Sequence, residues 1–443
     1  MVFSGRIVIL CCALGGHAVN MIPFSYGMFL PYVYSYIYEF DSSIKMSMMH
    51  VHAPLCLTVA TGTAWTFGVF QKWIHQRVLH VINGLGLCLW MVVMYLFGDN
   101  YLVITLAIAL TGFHAGQLHV FFSQRVTEEG KRYPSTANGF YGFLFGLAGV
   151  WGNIMSSLYI NPWSVAPVEI ASNLSTAGSS YIFVDERVLE RVPHNWLLLA
   201  IVMIVLLFPG FFIIAKTAKD HEEELEGLLE KSGDHHSMSK VKEIEENEQS
   251  IFSMTGFTLF FTTIGIGTSS MCAFDLFKDY GLKKIDDDGF LNLAGMLIPI
   301  VGAVGRIVWG TLGDKVSLRT LFVTGNALSS LLQALMYPCR KNKYSYVIVT
   351  AMLSIMPGMM TLLPPSVKKF MGTSNIAFKY GIILTGEVVG CMFYLILTSV
   401  LWKYLSDLTL VLILGIPAAL AIIPTLIFIK DDQTSQVGNI NFD

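Results

Sequence analysis

Gly305-Arg306-Ile307-Val308-Trp309-Gly310-Thr311-Leu312-Gly313-Asp314-Lys315, with Arg319 four residues further on, is the stretch that decides the reading of this chain. It closes a long apolar run. Gly310 and Gly313 allow a helix end and a tight turn, and Asp314 is placed to cap the next helix while pairing with Arg319. Arg306 lies inside the run itself. A guanidinium at membrane depth costs about 2.5 kcal/mol or more and needs a partner or a water-filled cavity. Planar and permanently charged, it suits bidentate binding of a carboxylate.

The surroundings of this stretch are apolar throughout. Of 443 residues, 54% are hydrophobic and only 13% charged, about half the charge a soluble protein carries. Residues 102–113, 196–215 and 408–429 reach or approach the ~20 residues that cross a bilayer. The first apolar helix continues past Phe24 without a clear cleavage site, so it reads as a membrane span and not a signal peptide. A net charge of −3 gives no reason to expect a polyanion, and nucleic acid is set aside as a partner. Cys11, Cys12, Cys56, Cys88, Cys272, Cys339 and Cys391 fall almost all inside apolar runs without metal-ligand spacing. They read as buried small hydrophobes, and neither a metal nor a cofactor is expected.

Turn signals and charge clusters predict twelve transmembrane helices. They fall near residues 6–34, 46–72, 77–97, 101–124, 135–160 and 195–215, then 252–277, 289–310, 319–338, 345–363, 378–402 and 408–429. The chain divides into an N-terminal six-helix bundle (1–215), a charged linker (216–250), a C-terminal six-helix bundle (251–430) and a tail (431–443). The linker carries Glu222-Glu223-Glu224 and Glu245-Glu246 among lysines, as a solvated tether would. The fold class is an all-α membrane protein of two pseudo-symmetric halves. A trace of the repeat survives: Phe67-Gly68 precedes Arg77 at the offset with which Trp309-Gly310 precedes Arg319.

Counting basic residues puts the termini and the linker in the cytoplasm, with weak bias once the linker is left out. The glycosylation triplet Asn173-Leu174-Ser175 then lies outside. Trp73, Trp163, Trp196 and Trp402 stand at span ends, as interfacial aromatics do. The multi-pass protein is expected to act as a monomer in a plasma or organelle membrane.

Gly139, Gly142, Gly146, Gly149 and Gly152 give span five one smooth face for close helix approach. Glu387 in span eleven is the clear ionisable candidate to answer Arg306, either as a structural ion pair or as part of a working site. His114 and Gln117 share a face of span four. Tyr26 and Tyr141 offer hydroxyls on aromatic bodies that could grip a small organic anion, although packing roles explain all four as well. His50 and His52 read as interfacial, and His235-His236 is too isolated for a metal. No Ser/His/Asp set, H-E-x-x-H motif or phosphate-binding glycine loop is present, so no enzyme is expected.

The pattern G-x-x-x-D-K-x-x-x-R formed by Gly310, Asp314, Lys315 and Arg319 resembles the cytoplasmic loop signature of the major facilitator superfamily, where it latches helices. The first-half copy, Gly68 with Lys72-Trp73 and Arg77, lacks the acidic residue. Within the superfamily the chain is similar to the monocarboxylate transporter and oxalate/formate antiporter branch. The likeness rests on Phe24-Ser25-Tyr26-Gly27-Met28-Phe29, on Lys131-Arg132-Tyr133-Pro134 leading into Ser135-Thr136-Ala137-Asn138-Gly139, on Gly305-Arg306, and on Phe370-Met371-Gly372 with Asn375 and Tyr380-Gly381. It implies that Arg306 binds a substrate carboxylate. Glu387 stands where the antiporter branch has a lysine, while Leu30 and Gly302 match the monocarboxylate branch's proton-relay positions. Coupling must therefore use other groups, of which Glu387 is the natural candidate.

The expectation is alternating-access transport of a small organic anion, a monocarboxylate foremost, by proton symport or anion exchange. Arg306, Tyr26, His114, Gln117 and Tyr141 would form the site. An amino-acid or other zwitterion carrier, and a non-transporting sensor built on the same fold, are the alternatives.

Overall fold

The computed structural model describes residues 5–49, 51–170, 180–213, 250–285 and 287–429. The linker apart from its last residue, the C-terminal tail, the Asn173 triplet, His50 and the His235-His236 pair lie outside them. The described chain is almost wholly helical. Six long helices make the first half: α1 (Gly5–Phe40), α2 (His52–Phe70), α3 (Gln76–Phe97), α4 (Tyr101–Glu129), α5 (Pro134–Ile160) and α6 (Arg191–Ile213). Six more make the second: α7 (Met254–Phe274), α8 (Asp288–Gly313), α9 (Leu318–Cys339), α10 (Lys343–Met371), α11 (Ile376–Leu395) and α12 (Asp407–Phe428).

Helix starts follow from short polar side chains that take up otherwise unpaired backbone N–H groups. Asn100 accepts from Leu102 and Val103 N–H, Ser253 from Gly256, Ser317 from Thr320 and Ser406 from Thr409. Eleven of the twelve are apolar enough to cross a bilayer on composition alone. The exception is α9, which is long enough at 22 residues but carries Asn326, Ser329 and Gln333, all fully buried. These polar groups face the bundle, and Gln333 donates to Ser269 Oγ on α7 at 2.8 Å. A span turned inward does not need an apolar sequence all round.

Elsewhere in the bilayer region many hydroxyls are satisfied within their own helix, as a medium without water favours. In α7, Thr258, Thr263, Thr268 and Ser269 each donate to the carbonyl four residues back.

Some local departures from the expected spans were not foreseen, among them a π-helical stretch over Ile396–Leu401. Helix α2 is broken by a turn at Ala64–Trp65, and α10 tightens to a 3-10 segment over Met356–Leu362, where Pro357 and Gly358 stand. A short antiparallel hairpin, β1 (Val168–Ile170) with β2 (Ser180–Ile182), interrupts the loop before α6.

Within the halves α1 packs extensively along α5, and α7 along α11. Between the halves α5 lies along α8 and α2 along α11. Exchanging the halves turns each of these pairs into the other, which is the pseudo-two-fold arrangement expected of a parallel repeat.

Candidate functional site

The glycine face of α5 is what admits the buried arginine. A Cβ at Gly139 would lie 2.9 Å from the Arg306 carbonyl, one at Gly142 would lie 3.0 Å from Arg306 Cδ, and one at Gly146 would collide with the guanidinium. Glycine at these positions opens a slot in α5 into which Arg306 of α8 extends. The guanidinium ends 5.7 Å from the ring centre of Phe145, a distance at which a cation interacts with the ring face. Gly152, further along α5, serves a different neighbour, since a Cβ there would meet Ser25 of α1.

Arg306 and Glu387 line one cavity between the halves. Both are half-buried, and among the described residues they form no ion pair, although each lies in the other's electrostatic field. The walls are largely apolar, with Leu57, Ala60, Phe145, Pro357, Met360 and Leu384 among them. Asn20, Thr61, Asn138 and Thr361 add polar groups, and each of these donates to a carbonyl or hydroxyl of its own half.

Of the other candidate site residues, Tyr141 is in the cavity wall, and Tyr26, His114 and Gln117 are not. Tyr26 is buried against Trp196 and Phe29, and its hydroxyl bonds His52 Nδ1 at 2.6 Å. His52, the first residue of α2, bonds Thr105 through its other nitrogen at 2.8 Å and is fully buried. His114 bonds the Asn83 amide oxygen on α3 at 2.9 Å, and Gln117 donates to Thr66 on α2 at 3.0 Å. Both tie α4 to its neighbours within the first half.

The titratable residue of α4 that lines the cavity is His119. It stands about 140° around the helix from His114 and about 160° from Gln117, at ~100° per residue. Its Nδ1 lies 2.8 Å from the Tyr141 hydroxyl on α5, and its Nε2 lies 3.1 Å from the Tyr380 hydroxyl on α11. The ring also packs on Phe145, with centres 4.9 Å apart. A sequence signal existed: Ala115, His119 and Ser123 repeat every four residues, so small and polar side chains share one face of α4, and all three line the cavity.

Near the cavity floor the halves are interlocked. Asp314 accepts hydrogen bonds from the backbone N–H groups of Ser135 (3.0 Å) and Thr136 (2.7 Å) at the start of α5. It therefore caps a helix of the other half. The next helix, α9, is capped by Ser317, and Arg319 donates to the Leu426 carbonyl at 2.6 Å; the expected Asp314–Arg319 pair is corrected accordingly. The open N–H groups at the start of α5 hold the carboxylate. Gly310 lies against Gly139 and Ser135, and Lys315 is exposed. On the other flank Gln71 donates to Asn375 Oδ1 at 2.6 Å and Asn375 donates to the Gly68 carbonyl at 3.1 Å. Where the first-half signature lacks its acid, a neutral amide contact stands.

A membrane-embedded cavity between two six-helix halves, closed at the signature-loop end and holding charged side chains, defines a solute carrier. The chain belongs to the MFS/sugar transport protein family, whose profile matches residues 147–394. Among solved structures it is similar to the proton:xylose symporter XylE bound to 6-bromo-6-deoxy-D-glucose, at a TM-score of 0.68 and 11% identity, covering 97% of each chain. A variant of the E. coli fucose:proton symporter FucP gives 0.66 at 12% identity, over 96% of this chain and 99% of that one. FucP in the outward conformation gives 0.65 at 11%, over 95% and 98%. These likenesses establish the major facilitator fold. No curated protein matches the chain significantly. The protein is thus a multi-pass integral membrane transporter and not an enzyme.

Proposed function

We propose that this transporter carries a small monocarboxylate by alternating access, with Arg306 binding the carboxylate. The observation that supports the reading is the guanidinium itself, held in a glycine slot beside Phe145, lining the cavity and lacking an ion pair among the described residues. A cation kept at membrane depth with no ion-pair contact among the described residues calls for an anionic ligand. A planar carboxylate matches its paired donors. The mostly apolar wall suits the short carbon body of such an anion, and Tyr141 supplies a hydroxyl beside it. Glu387, in the same cavity, limits how firmly the arginine holds its ligand. The resemblance of Gly305-Arg306 to the monocarboxylate transporter and oxalate/formate antiporter branch agrees with this assignment.

Glu387 also favours a second reading. A cavity holding both Arg306 and Glu387 could meet a carboxylate and an ammonium together, as in an amino acid. The family's sugar transport name, and the xylose and fucose carried by the symporters above, supply a third class to test.

The discriminating experiment is counterflow in proteoliposomes with three sets of solutes: formate, acetate, lactate and pyruvate; glycine and alanine; xylose and fucose. Monocarboxylates should exchange and Arg306→Ala should not support it, while the variant still inserts. Exchange at normal affinity by Arg306→Ala, or a response to sugars alone, defeats the reading.

A further inference from the structure

We propose that His119 is the proton-binding site of this carrier, and that its protonation frees the hydroxyl that serves its bare nitrogen, so that both Tyr141 and Tyr380 can donate hydrogen bonds to the anion. The inference rests on the monocarboxylate reading above and adds to it a coupling residue.

The argument starts from the donor count of one ring. A neutral imidazole has one N–H and one bare nitrogen, whereas an imidazolium donates from both. His119 has a tyrosine hydroxyl on each nitrogen, Tyr141 at 2.8 Å and Tyr380 at 3.1 Å. While the ring is neutral, one of those two hydroxyls must direct its proton into the bare nitrogen. Once the ring is protonated both nitrogens donate, both phenol oxygens accept, and both phenol protons can turn elsewhere. The two tyrosines line the same cavity as Arg306, so the groups released face the space in which the carboxylate would lie.

The second part of the argument is electrostatic. The titratable or charged groups facing His119 are Tyr141 on α5, Tyr380 on α11 and Arg306 on α8, with Glu387 further along α11 and Cys12 of α1 beyond Tyr141. Helix α2 presents only Leu57, Ala60, Thr61 and Ala64 to the cavity. Arg306 and His119 both pack on Phe145. Two cations so placed repel; an anion on Arg306 removes the repulsion. Anion binding then favours proton binding, and by linkage the proton favours the anion to the same degree. The proton enters from the aqueous side of the cavity, rests on the imidazole and leaves on the other side, with no covalent bond made or broken except N–H.

The third part is mechanical. The His119–Tyr380 hydrogen bond joins the two halves, above the Gln71–Asn375 and Asp314–Ser135 contacts. Opening the signature-loop end has to break it. A protonated ring donates to the Tyr380 oxygen through a charge-assisted bond, so the tie across the halves is firmer in the protonated carrier and loosens when the proton leaves.

The test uses the purified full-length protein in weak buffer, with the most active monocarboxylate of the panel above. Anion binding to the unaltered protein should draw protons from solution, and anion affinity should rise about tenfold from alkaline to acid pH, within the ~5- to 150-fold usual for coupled sites. His119→Gln should bind the anion with no proton uptake and no pH dependence, and an inward proton gradient should no longer drive its accumulation. Tyr380→Phe, which keeps the ring and folds more surely, should lose affinity at acid pH and not at alkaline pH. Proton uptake persisting in His119→Gln, or lost in Glu387→Gln but not in His119→Gln, overturns the proposal. Failure of the monocarboxylate reading itself shows separately, as absent counterflow by the unaltered protein.

Discussion

Gly310 of α8 crosses Gly139 of α5 so closely that a methyl group added at Gly310 would lie 2.6 Å from the Gly139 Cα. The crossing joins the two halves one helical turn from Arg306, so the loop signature and the buried cation belong to one contact. Gly310→Ala should lower stability by about 1–3 kcal/mol, the usual cost of overpacking. It should also slow transport, because the halves can no longer meet there. Unfolding temperature in detergent, read beside counterflow, checks both effects; an unchanged melting curve would show that the helices separate without cost.

Arg306→Lys distinguishes charge from geometry. Lysine keeps the charge but not the planar fork. If the site reads a carboxylate bidentately, affinity should fall at least about tenfold in Arg306→Lys, the loss of roughly 1.4 kcal/mol from one charge-assisted hydrogen bond. Ligand-dependent thermal stabilisation measures it, since a bound anion raises stability by mass action. Equal stabilisation of both proteins by the same anion would mean that only the charge matters.

Asp314→Asn should loosen the signature-loop end. The carboxylate accepts from two N–H groups at the start of α5, where a negative charge contributes about 0.3–1 kcal/mol through the helix dipole. Asparagine has one acceptor oxygen and no charge. With Ala64→Cys at the cavity floor as reporter, the second substitution should speed thiol labelling from that side. Labelling at the same rate would place the seal elsewhere, with Gln71–Asn375 the next contact to cut.

Asp407→Ala should destabilise the second half by about 3–5 kcal/mol, the cost of leaving a buried charge unpaired. Asp407 accepts from Lys283 at 2.9 Å and from Trp402 at 3.1 Å, and pairs with Arg340 at 2.9 Å. Arg340 is only 4% exposed. Adding Arg340→Met should recover part of the loss; if the double variant is no better than the single, the charge pair is not the source.

A milder acid-limb effect is expected at Asp287, outside the membrane-spanning segments. The hydrogen bond from Lys343 holds its carboxyl below the usual carboxylate range. A group depressed on folding stabilises above its unfolded pKa, and the contribution disappears as pH falls through the folded value. Asp287→Asn should therefore slightly flatten the loss of melting temperature below about pH 4; an identical acid limb in both proteins would count against it.

The family and its helices were legible in the chain because they are local properties. Apolar runs of bilayer length, short polar caps and the Gly310–Arg319 pattern each declare themselves within a few residues of one another. The span at Leu318–Cys339 was found through its flanking signals even though its buried Asn326 and Gln333 dilute its apolarity. The depth of Arg306 was also legible, since a cation inside an apolar run demands a reason wherever the run folds, but whether Glu387 forms an ion pair with it was not. By itself, then, the sequence determined a two-half helical membrane carrier with a costly arginine in span eight.

Which polar residues meet that arginine was a matter of rotation and crossing, and only the tertiary structure decided it. His114, Gln117 and His119 stand within two turns of one helix, yet the first two bond within their own half and the third reaches across to Tyr380. A difference of about 140° around α4 separates packing from cavity, and nothing local in the chain sets the zero of that angle. The glycines of α5 were visible as a smooth face, but not that Arg306 would occupy it. Asp314 was visible as a cap, but not that its helix lay in the other half. Side-chain identity is written along the chain, whereas the direction each side chain faces is set by helices that are far apart in it.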